Sequence, residues 1–84
     1  MKVGTGIGGW PGKAWEGAKR AEAAGYDYVT CGELAHDSIV TMALAGAHTE
    51  SIGLQTGVTI AFPRSPMVLA MEAWDLQQAT GGRF

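Results

Sequence analysis

The chain has 84 residues, of which 46% are hydrophobic, and it carries a formal net charge of −2. This length limits it to one small domain over residues 1–84, and the apolar content excludes a disordered chain. The charges are scattered, so we expect no nucleic acid partner, and no apolar run approaches the ~18 residues of a membrane span, so we expect no membrane association. Cys31 is the only cysteine and no apolar signal-peptide stretch follows Met1, which together predict a cytoplasmic protein.

The first predicted unit is a strand followed by a helix. A short strand over residues 1–6 contains Val3, and a glycine-rich loop over residues 8–12 follows it. The alanine-rich stretch 13–24 predicts a helix, because alanine has the highest helix propensity. Gly25 then occupies the position of a left-handed C-terminal cap.

The second predicted unit has the same order. Residues 26–30 are aromatic and β-branched, which favours a strand. Asp37 is a good N-cap for a helix over residues 38–48. That helix has an apolar stripe that we expect to face the core, formed by Ile39, Met42, Ala43 and Ala47.

The third predicted unit begins with a strand candidate over residues 52–60. Ser65 and Pro66 then start a helix, as N-cap and first helical residue, and the glycines at 81–82 end it. Residues 83–84 resemble the start of another strand. Three strand–helix units, each close to the ~30 residues that a strand and its crossover helix need, predict the parallel sheet of an α/β fold.

Three helices that follow three strands would cover one face of such a sheet. The other face and both edges would remain open and apolar. We therefore expect further chain or other copies of the chain to cover this surface, and we predict a homo-oligomer.

Candidate catalytic residues follow the second strand, because the chemistry of parallel (β/α)8 folds takes place where strands end. Glu33 could accept or relay a proton, and His36 titrates near neutrality. The alternative is that Glu33 hydrogen-bonds its own loop and His36 lies beside the helix N-terminus. No metal site is predicted, since His48 should lie at the far end of its helix. Cys31 is interpreted as a buried small side chain rather than a nucleophile.

Gly57 and Arg64 mark a candidate binding region after the third strand. A glycine within a strand indicates a bulge or a close backbone approach, which a flat aromatic ligand needs. Arg64 precedes a helix N-terminus, and this combination attracts anions such as phosphate. The alternatives are that Gly57 is tolerated for packing and that Arg64 is a solvated loop charge.

The pattern Gly4-x-Gly6-x-x-Gly9 formally matches the dinucleotide-binding fingerprint. That fingerprint requires a preceding strand and a helix that begins at the last glycine. Residues 10–12, Trp-Pro-Gly, interrupt the helix start. The alternative is therefore a flexible loop at the strand end.

Three segments match an ordered set of family motifs. Residues 21–29, AEAAGYDYV, resemble the passage AE-x-x-GFD, and residues 45–58, AGAHTESIGLQTGV, are similar to A-x-x-T-x-R-I-x-L-G-T-G-V. Residues 64–70 and 80–84 resemble RSP…LA…L…S-x-GR. With these motifs the chain resembles the luciferase-like monooxygenase superfamily, in particular its deazaflavin-dependent oxidoreductases.

This resemblance implies a partial (β/α)8 TIM barrel of three units that binds FMN or the deazaflavin coenzyme at the C-terminal ends of its parallel strands. A non-prolyl cis peptide behind the flavin ring would lie at Gly57–Val58, and the catalytic histidine or acid would be His36 or Glu33. The implied coenzyme-binding residues are Gly6, Gly57, Val58, Thr59 and Arg64.

Family members have eight units, so the resemblance implies that this chain holds the first three. It would then be a fragment of a flavin- or deazaflavin-dependent oxidoreductase that is incomplete or inactive alone. Two alternatives stay open. One is a non-catalytic module that assembles with copies of itself, and the other is a small Rossmann-like nucleotide binder.

Overall fold

The computed structural model describes residues 1–8, 10–33, 36–57, 59 and 64–84. Strands and helices alternate along these residues. In chain order they are β1 (Gly4–Gly6), α1 (Pro11–Ala24), β2 (Tyr28–Cys31), α2 (Ser38–Ala47), β3 (Gly53–Thr56) and α3 (Pro66–Ala79). The three strands form one parallel sheet in the order β1-β2-β3. The predicted fold class, three β–α units of a (β/α)8 barrel, is confirmed.

The core lies between the sheet and its helices. Val29 on β2 and Met42 on α2 are completely buried, and Leu54 on β3 is 4% exposed. Val29 and Leu54 are partners in the parallel register, so adjacent strands place them on the same face. Burial of such side chains contributes roughly 1.5–3 kcal/mol each, which makes this layer the main source of stability.

The other face of the sheet carries a tyrosine between two glycines. Gly4, Tyr28 and Gly53 are register partners across the three strands. A Cβ atom on Gly4 would overlap the Tyr28 ring, and one on Gly53 would lie 3.2 Å from the Tyr28 Cβ. The absence of side chains on both neighbours therefore leaves the space that the aromatic ring occupies.

The first helix begins earlier than the sequence predicts. Residues 11 and 12 were expected in a loop, but α1 starts at Pro11 with Trp10 as its N-cap. Proline is favoured in the first turn because its φ angle is already helical and it needs no N–H partner there. At the other end Gly25 has φ of 91°, which confirms the predicted left-handed cap.

The predicted caps of the other two helices are confirmed. Asp37 Oδ1 accepts hydrogen bonds from the amides of Ile39 and Val40 at 2.8 and 3.0 Å. Ser65 Oγ accepts one from the amide of Val68 at 3.1 Å. Both caps satisfy amides that have no partner within the helix.

The buried face of α2 differs from the predicted stripe. Ile39 and Met42 are buried as predicted, but Ala43 and Ala47 are exposed. Gly46 is buried instead, where an added Cβ would lie 2.7 Å from Thr80 Cγ2 and 3.0 Å from Leu54 Cδ1. Because α2 packs against β3 and the end of α3 as well as against α1, its buried face is rotated from the apolar stripe.

The third strand is shorter than predicted. Residues 52–60 were expected to be extended, but β3 covers Gly53–Thr56. Its partner β2 ends at Cys31, which pairs with Thr56, so the regular ladder stops there. One further bond, from the Gly57 amide to the Cys31 carbonyl at 2.7 Å, continues the contact beyond the strand.

A glutamate of α1 holds the connection between α2 and β3. The carboxylate of Glu22 accepts hydrogen bonds from the amides of Glu50, Ser51 and Ile52 at 2.7–3.0 Å. The hydrogen bond from Ser51 is the largest cause of a pKa for Glu22 below its ordinary value. This contact joins the first unit to the start of the third strand.

Arg83, which follows α3, lies beside β3 at the edge of the sheet. Arg83 donates to the carbonyls of Gly46, Ile52 and Thr80 at 2.9–3.1 Å. The amide of Leu54 donates to the Arg83 carbonyl at 2.8 Å. The chain therefore returns beside β3, where a fourth parallel strand would lie.

Among the residues that the structure describes, none of the helices has the length and apolar character needed to cross a membrane.

Candidate functional site

The C-terminal ends of the three strands lie along one edge of the sheet. β1 ends at Gly6, β2 at Cys31 and β3 at Thr56. Backbone hydrogen bonds extend the pairing at this edge, since the Ile7 amide donates to the Thr30 carbonyl at 2.8 Å. The predicted site residues that the structure describes therefore lie at the same end of the three strands.

Glu33 and Arg64 form a bidentate ion pair at this edge. Arg64 Nη1 lies 3.0 Å from Glu33 Oε1, and Arg64 Nη2 lies 2.8 Å from Glu33 Oε2. The two side chains are 8% and 14% exposed. The structure thus brings together a predicted catalytic residue and a predicted coenzyme-binding residue, and it excludes the interpretation of Arg64 as a solvated loop charge.

Ser38, the first residue of α2, completes the surroundings of Glu33. Its amide and its hydroxyl both donate to Glu33 Oε2, at 2.8 and 2.9 Å. Ser38 is fully buried, and its Oγ also lies 2.9 Å from Thr59 Oγ1. Ser38 therefore connects Glu33, in the loop after β2, with Thr59, in the connection after β3.

Arg64 contacts two further carboxylates. Its Nη2 lies 2.9 Å from Asp37 Oδ2, while Asp37 Oδ1 caps α2. Its Nε lies 3.6 Å from Glu72 Oε1 on α3. Hydrogen bonding to Glu33, followed by that to Asp37, raises the pKa of Arg64 further above its usual range, so the guanidinium stays charged at any working pH.

His36 lies at the same edge and is exposed. Its ring meets the Trp10 ring edge-on, with centroids 5.7 Å apart and planes at 76°. Trp10 is itself 64% exposed. The pair joins the loop after β1 to the loop after β2 and leaves the imidazole open to solvent and to a ligand.

Cys31 is buried, as predicted. Its Sγ lies 3.7 Å from the Ser38 carbonyl. Burial, and then the negative charges of Glu33 and Asp37, raise the pKa of the thiol above its ordinary value. A raised pKa keeps the sulfur protonated at neutral pH, so Cys31 is a packing residue rather than a nucleophile.

Two glycines leave bare backbone exposed at the ends of β1 and β3. Gly6 and Gly57 are exposed, and a Cβ on Gly6 would meet only the Thr30 carbonyl, at 3.9 Å. A Cβ on Gly57 would lie 3.2 Å from Thr30 Oγ1. Bare backbone here allows close approach of a planar ring. Val58, and with it the Gly57–Val58 peptide, lies outside the described residues.

The dinucleotide fingerprint does not coincide with a helix start. α1 begins at Pro11, and Gly4 is covered by the ring of Tyr28. Gly9 lies outside the described residues. Over the described part of the chain, no group of three or more histidine, cysteine, aspartate or glutamate side chains is arranged to hold a metal ion.

A cavity of about 540 Å³ lies along β3. It is lined by Tyr28, by all four residues of β3 from Gly53 to Thr56, and by Arg83 and Phe84 after α3. Because it follows the whole length of β3 where Arg83 and Phe84 return beside it, we assign it to the open side of the sheet and not to the coenzyme site.

Two contacts of this site were not predicted from the sequence. In the sequence, Ser38 was identified only as the first residue of the predicted second helix, and Trp10 only as part of the stretch that interrupts a helix start. The sequence did offer a signal for the Ser38 contact, namely the adjacent Asp37–Ser38 pair at the helix start that follows the second strand. For Trp10 the local sequence holds no signal, because its partner His36 comes from the next unit.

Comparison with known proteins finds similarity to one family in sequence and to a solved monooxygenase in structure. A sequence profile of the family described as Luciferase-like monooxygenase matches residues 5–84. The uncharacterized proteins Rv1360 of Mycobacterium tuberculosis and Mb1395 of Mycobacterium bovis are each 36% identical over 72 residues, which is 86% of this chain. The chain spans about a fifth of these relatives, 21% of their length.

A solved structure has the same fold. The monooxygenase RslO1 from Streptomyces bottropensis superposes with a TM-score of 0.78 at 24% sequence identity. The match covers 99% of this chain and 31% of that one.

Proposed function

This chain belongs to the luciferase-like monooxygenase family, and from that premise we propose that its C-terminal strand edge forms part of the coenzyme site of a flavin- or deazaflavin-dependent oxidoreductase. The family generally uses flavin cofactors. The observation that carries the proposal is that Gly6, His36 and Gly57 are all exposed and lie at or after the C-terminal ends of the three strands.

Each candidate residue has a role in this proposal. Gly6 and Gly57 let the planar ring approach the backbone, and the Thr59 hydroxyl offers a hydrogen bond at the end of β3. His36 holds or moves a proton at its imidazole nitrogens, because its exposed ring is accessible to a ligand at the strand ends. The bound flavin or deazaflavin would itself supply hydride or electron transfer.

We propose that this chain contributes coenzyme contacts but does not turn over substrate alone. The match covers only 21% of the length of the curated relatives. In (β/α)8 enzymes the loops after all eight strands contribute to the site. The residues described above supply the loops after three strands.

A titration tests the proposal. FMN and the deazaflavin coenzyme are added separately to the purified chain, and coenzyme fluorescence is recorded. We expect saturable binding that Gly57→Val abolishes, because the added Cβ would lie 3.2 Å from Thr30 Oγ1 and a branched side chain would displace the bare backbone that the ring approaches. Ala79→Val, at an exposed position at the far end of α3, is the control and should bind like the unchanged chain. No binding at millimolar coenzyme would contradict the proposal.

A second candidate function is self-assembly through copies of this chain. Met67, Met71 and Trp74 recur on one face of α3 and are 69%, 52% and 65% exposed. Exposed apolar surface of this kind marks association sites. We propose a homo-oligomer that buries this helix face together with the open sheet face and edges. Light scattering over a concentration series tests it, and a cooperative monomer at micromolar concentration would argue against it.

A further inference from the structure

Three contacts tie the connection after β3 to the second unit. The Gly57 amide donates to the Cys31 carbonyl at 2.7 Å. Thr59 Oγ1 lies 2.9 Å from Ser38 Oγ. Arg64 then meets Glu33 through both of its terminal nitrogens. Residues 57, 59 and 64 of this connection are thus each in contact with a different residue of the second unit.

The Arg64–Glu33 contact has the properties of a fixed clamp. Two parallel N–H···O bonds define both the distance and the orientation of the two planar groups. Four described donors engage the Glu33 carboxylate, namely Arg64 Nη1 and Nη2 and the amide and hydroxyl of Ser38. The same guanidinium also contacts the helix-capping Asp37, so its position is set by two carboxylates of one unit.

This geometry disfavours the two roles that the sequence predicts, which are Glu33 as a proton acceptor and Arg64 as a phosphate ligand. A general base needs an oxygen that can reach the proton of a bound ligand, but the described donors already occupy both oxygens of Glu33. A phosphate ligand needs free N–H groups, but Arg64 directs both terminal nitrogens at carboxylates.

We propose that Glu33 and Arg64 are positioning residues, which hold Gly57 and Thr59 at the place where they contact the coenzyme. The proposal rests on the proposed coenzyme site for its functional consequence. Its structural part concerns the chain without coenzyme: the clamp keeps the Gly57 amide on the Cys31 carbonyl. In this assignment His36 is the proton-carrying candidate at the strand edge.

The test uses Arg64→Met, Glu33→Gln and the double variant, with Arg20→Met as the matched control on an exposed position of α1. Amide hydrogen exchange of Gly57 is measured by NMR without coenzyme. We expect severalfold faster exchange at Gly57 in both single variants, no change in Arg20→Met, and non-additive effects in the double variant. Arg64→Lys keeps the charge but loses the bidentate geometry, and it should restore protection in part.

The second measurement is the dissociation constant for FMN. We expect it to rise about tenfold in Arg64→Met and in Glu33→Gln alike, by analogy with residues that orient metal-ligating side chains. Circular dichroism verifies that each variant is folded, and Arg64→Lys replaces Arg64→Met if the latter is not.

The outcomes separate the two proposals. If the unchanged chain binds neither FMN nor the deazaflavin coenzyme, the proposed function fails, while Gly57 exchange still decides whether the clamp positions the strand end. If FMN binds and neither variant changes its affinity or the exchange of Gly57, the positioning role is wrong and the coenzyme site stands. An effect of Glu33→Gln on binding without any effect of Arg64→Met would also overturn the positioning pair.

Discussion

The guanidinium of Arg64 meets the carboxylate of Glu33 through two N–H···O bonds of 3.0 and 2.8 Å, although 31 residues separate them in the chain. One residue follows β2 and the other precedes α3. The pair therefore joins two strand–helix units at the edge where we propose that coenzyme binds. Its partners Ser38 and Asp37 sit at the start of α2, so one cluster orders the loops after β2 and β3.

The completely buried Met42 should be a large source of stability. Met42→Ala removes side-chain volume from the layer between α2 and the sheet, and such changes cost about 2–5 kcal/mol in other cores. Val40→Ala, on the same helix at a position that is 48% exposed, is the control and should change the free energy of unfolding by less than ~0.5 kcal/mol. Urea denaturation compares the two variants, and equal costs would contradict this description of the core.

Two helical glycines should respond in opposite ways to the same substitution. Gly46→Ala places a methyl group 2.7 Å from Thr80 Cγ2, and overpacking of this kind costs about 1–3 kcal/mol. Gly17→Ala on α1 meets Ile7 Cγ2 at 3.3 Å, which a small side-chain shift relieves. Both gain ~1 kcal/mol of helix propensity. We therefore expect thermal denaturation to give a lower Tm for Gly46→Ala and an equal or higher one for Gly17→Ala.

Glu22 should make stability depend on acid pH. Because hydrogen bonds from the Ser51, Ile52 and Glu50 amides lower its pKa below 4.5 in the folded chain, its contribution is present above that value. The contribution is lost as the pH falls from 4.5 through the lower pKa of the folded state. Glu22→Gln should therefore lose less stability than the unchanged chain between pH 7 and pH 3, measured as Tm.

The control for this prediction is Glu16→Gln, an exposed position on the same helix. It should follow the pH dependence of the unchanged chain. A Glu22→Gln variant that loses as much stability on acidification as Glu16→Gln would show that the contact with the amides of residues 50–52 does not favour folding.

Cys31 should react slowly with thiol reagents in the folded chain. Burial and the charges of Glu33 and Asp37 raise its pKa, so the thiolate fraction at pH 8 is small and the sulfur is shielded. We expect reaction with a disulfide reagent to be much faster in urea than in buffer. Equal rates in the two conditions, with folding verified by circular dichroism, would argue against the buried position.

Local features of the fold were predictable because donor and acceptor are close in sequence. Asp37 caps amides two and three residues ahead, and Ser65 caps one three residues ahead. The start of α1 at Pro11 was missed, although proline in a first turn is itself a local signal. The glycine-rich composition of residues 8–12 outweighed that signal.

The candidate site was predictable in its location but not in its contacts. That Glu33, His36, Gly57 and Arg64 follow strands could be read from the alternation of elements, and parallel strands place such residues at one edge. The alternation of strands and helices does not predict which side chain each of these residues contacts. His36 meets Trp10 from the first unit, and Glu33 meets Arg64 from the third.

The sequence by itself determined the order of strands and helices, their caps and the family, because periodicity, capping and motif spacing act over a few residues at a time. The tertiary structure decided that Arg64 faces carboxylates and that Ser38 links Glu33 to Thr59. It also decided that Gly46, rather than Ala47, faces the core. The physical reason is that these contacts depend on how the sheet register and the helix packing bring separate units together, and no short segment encodes that geometry.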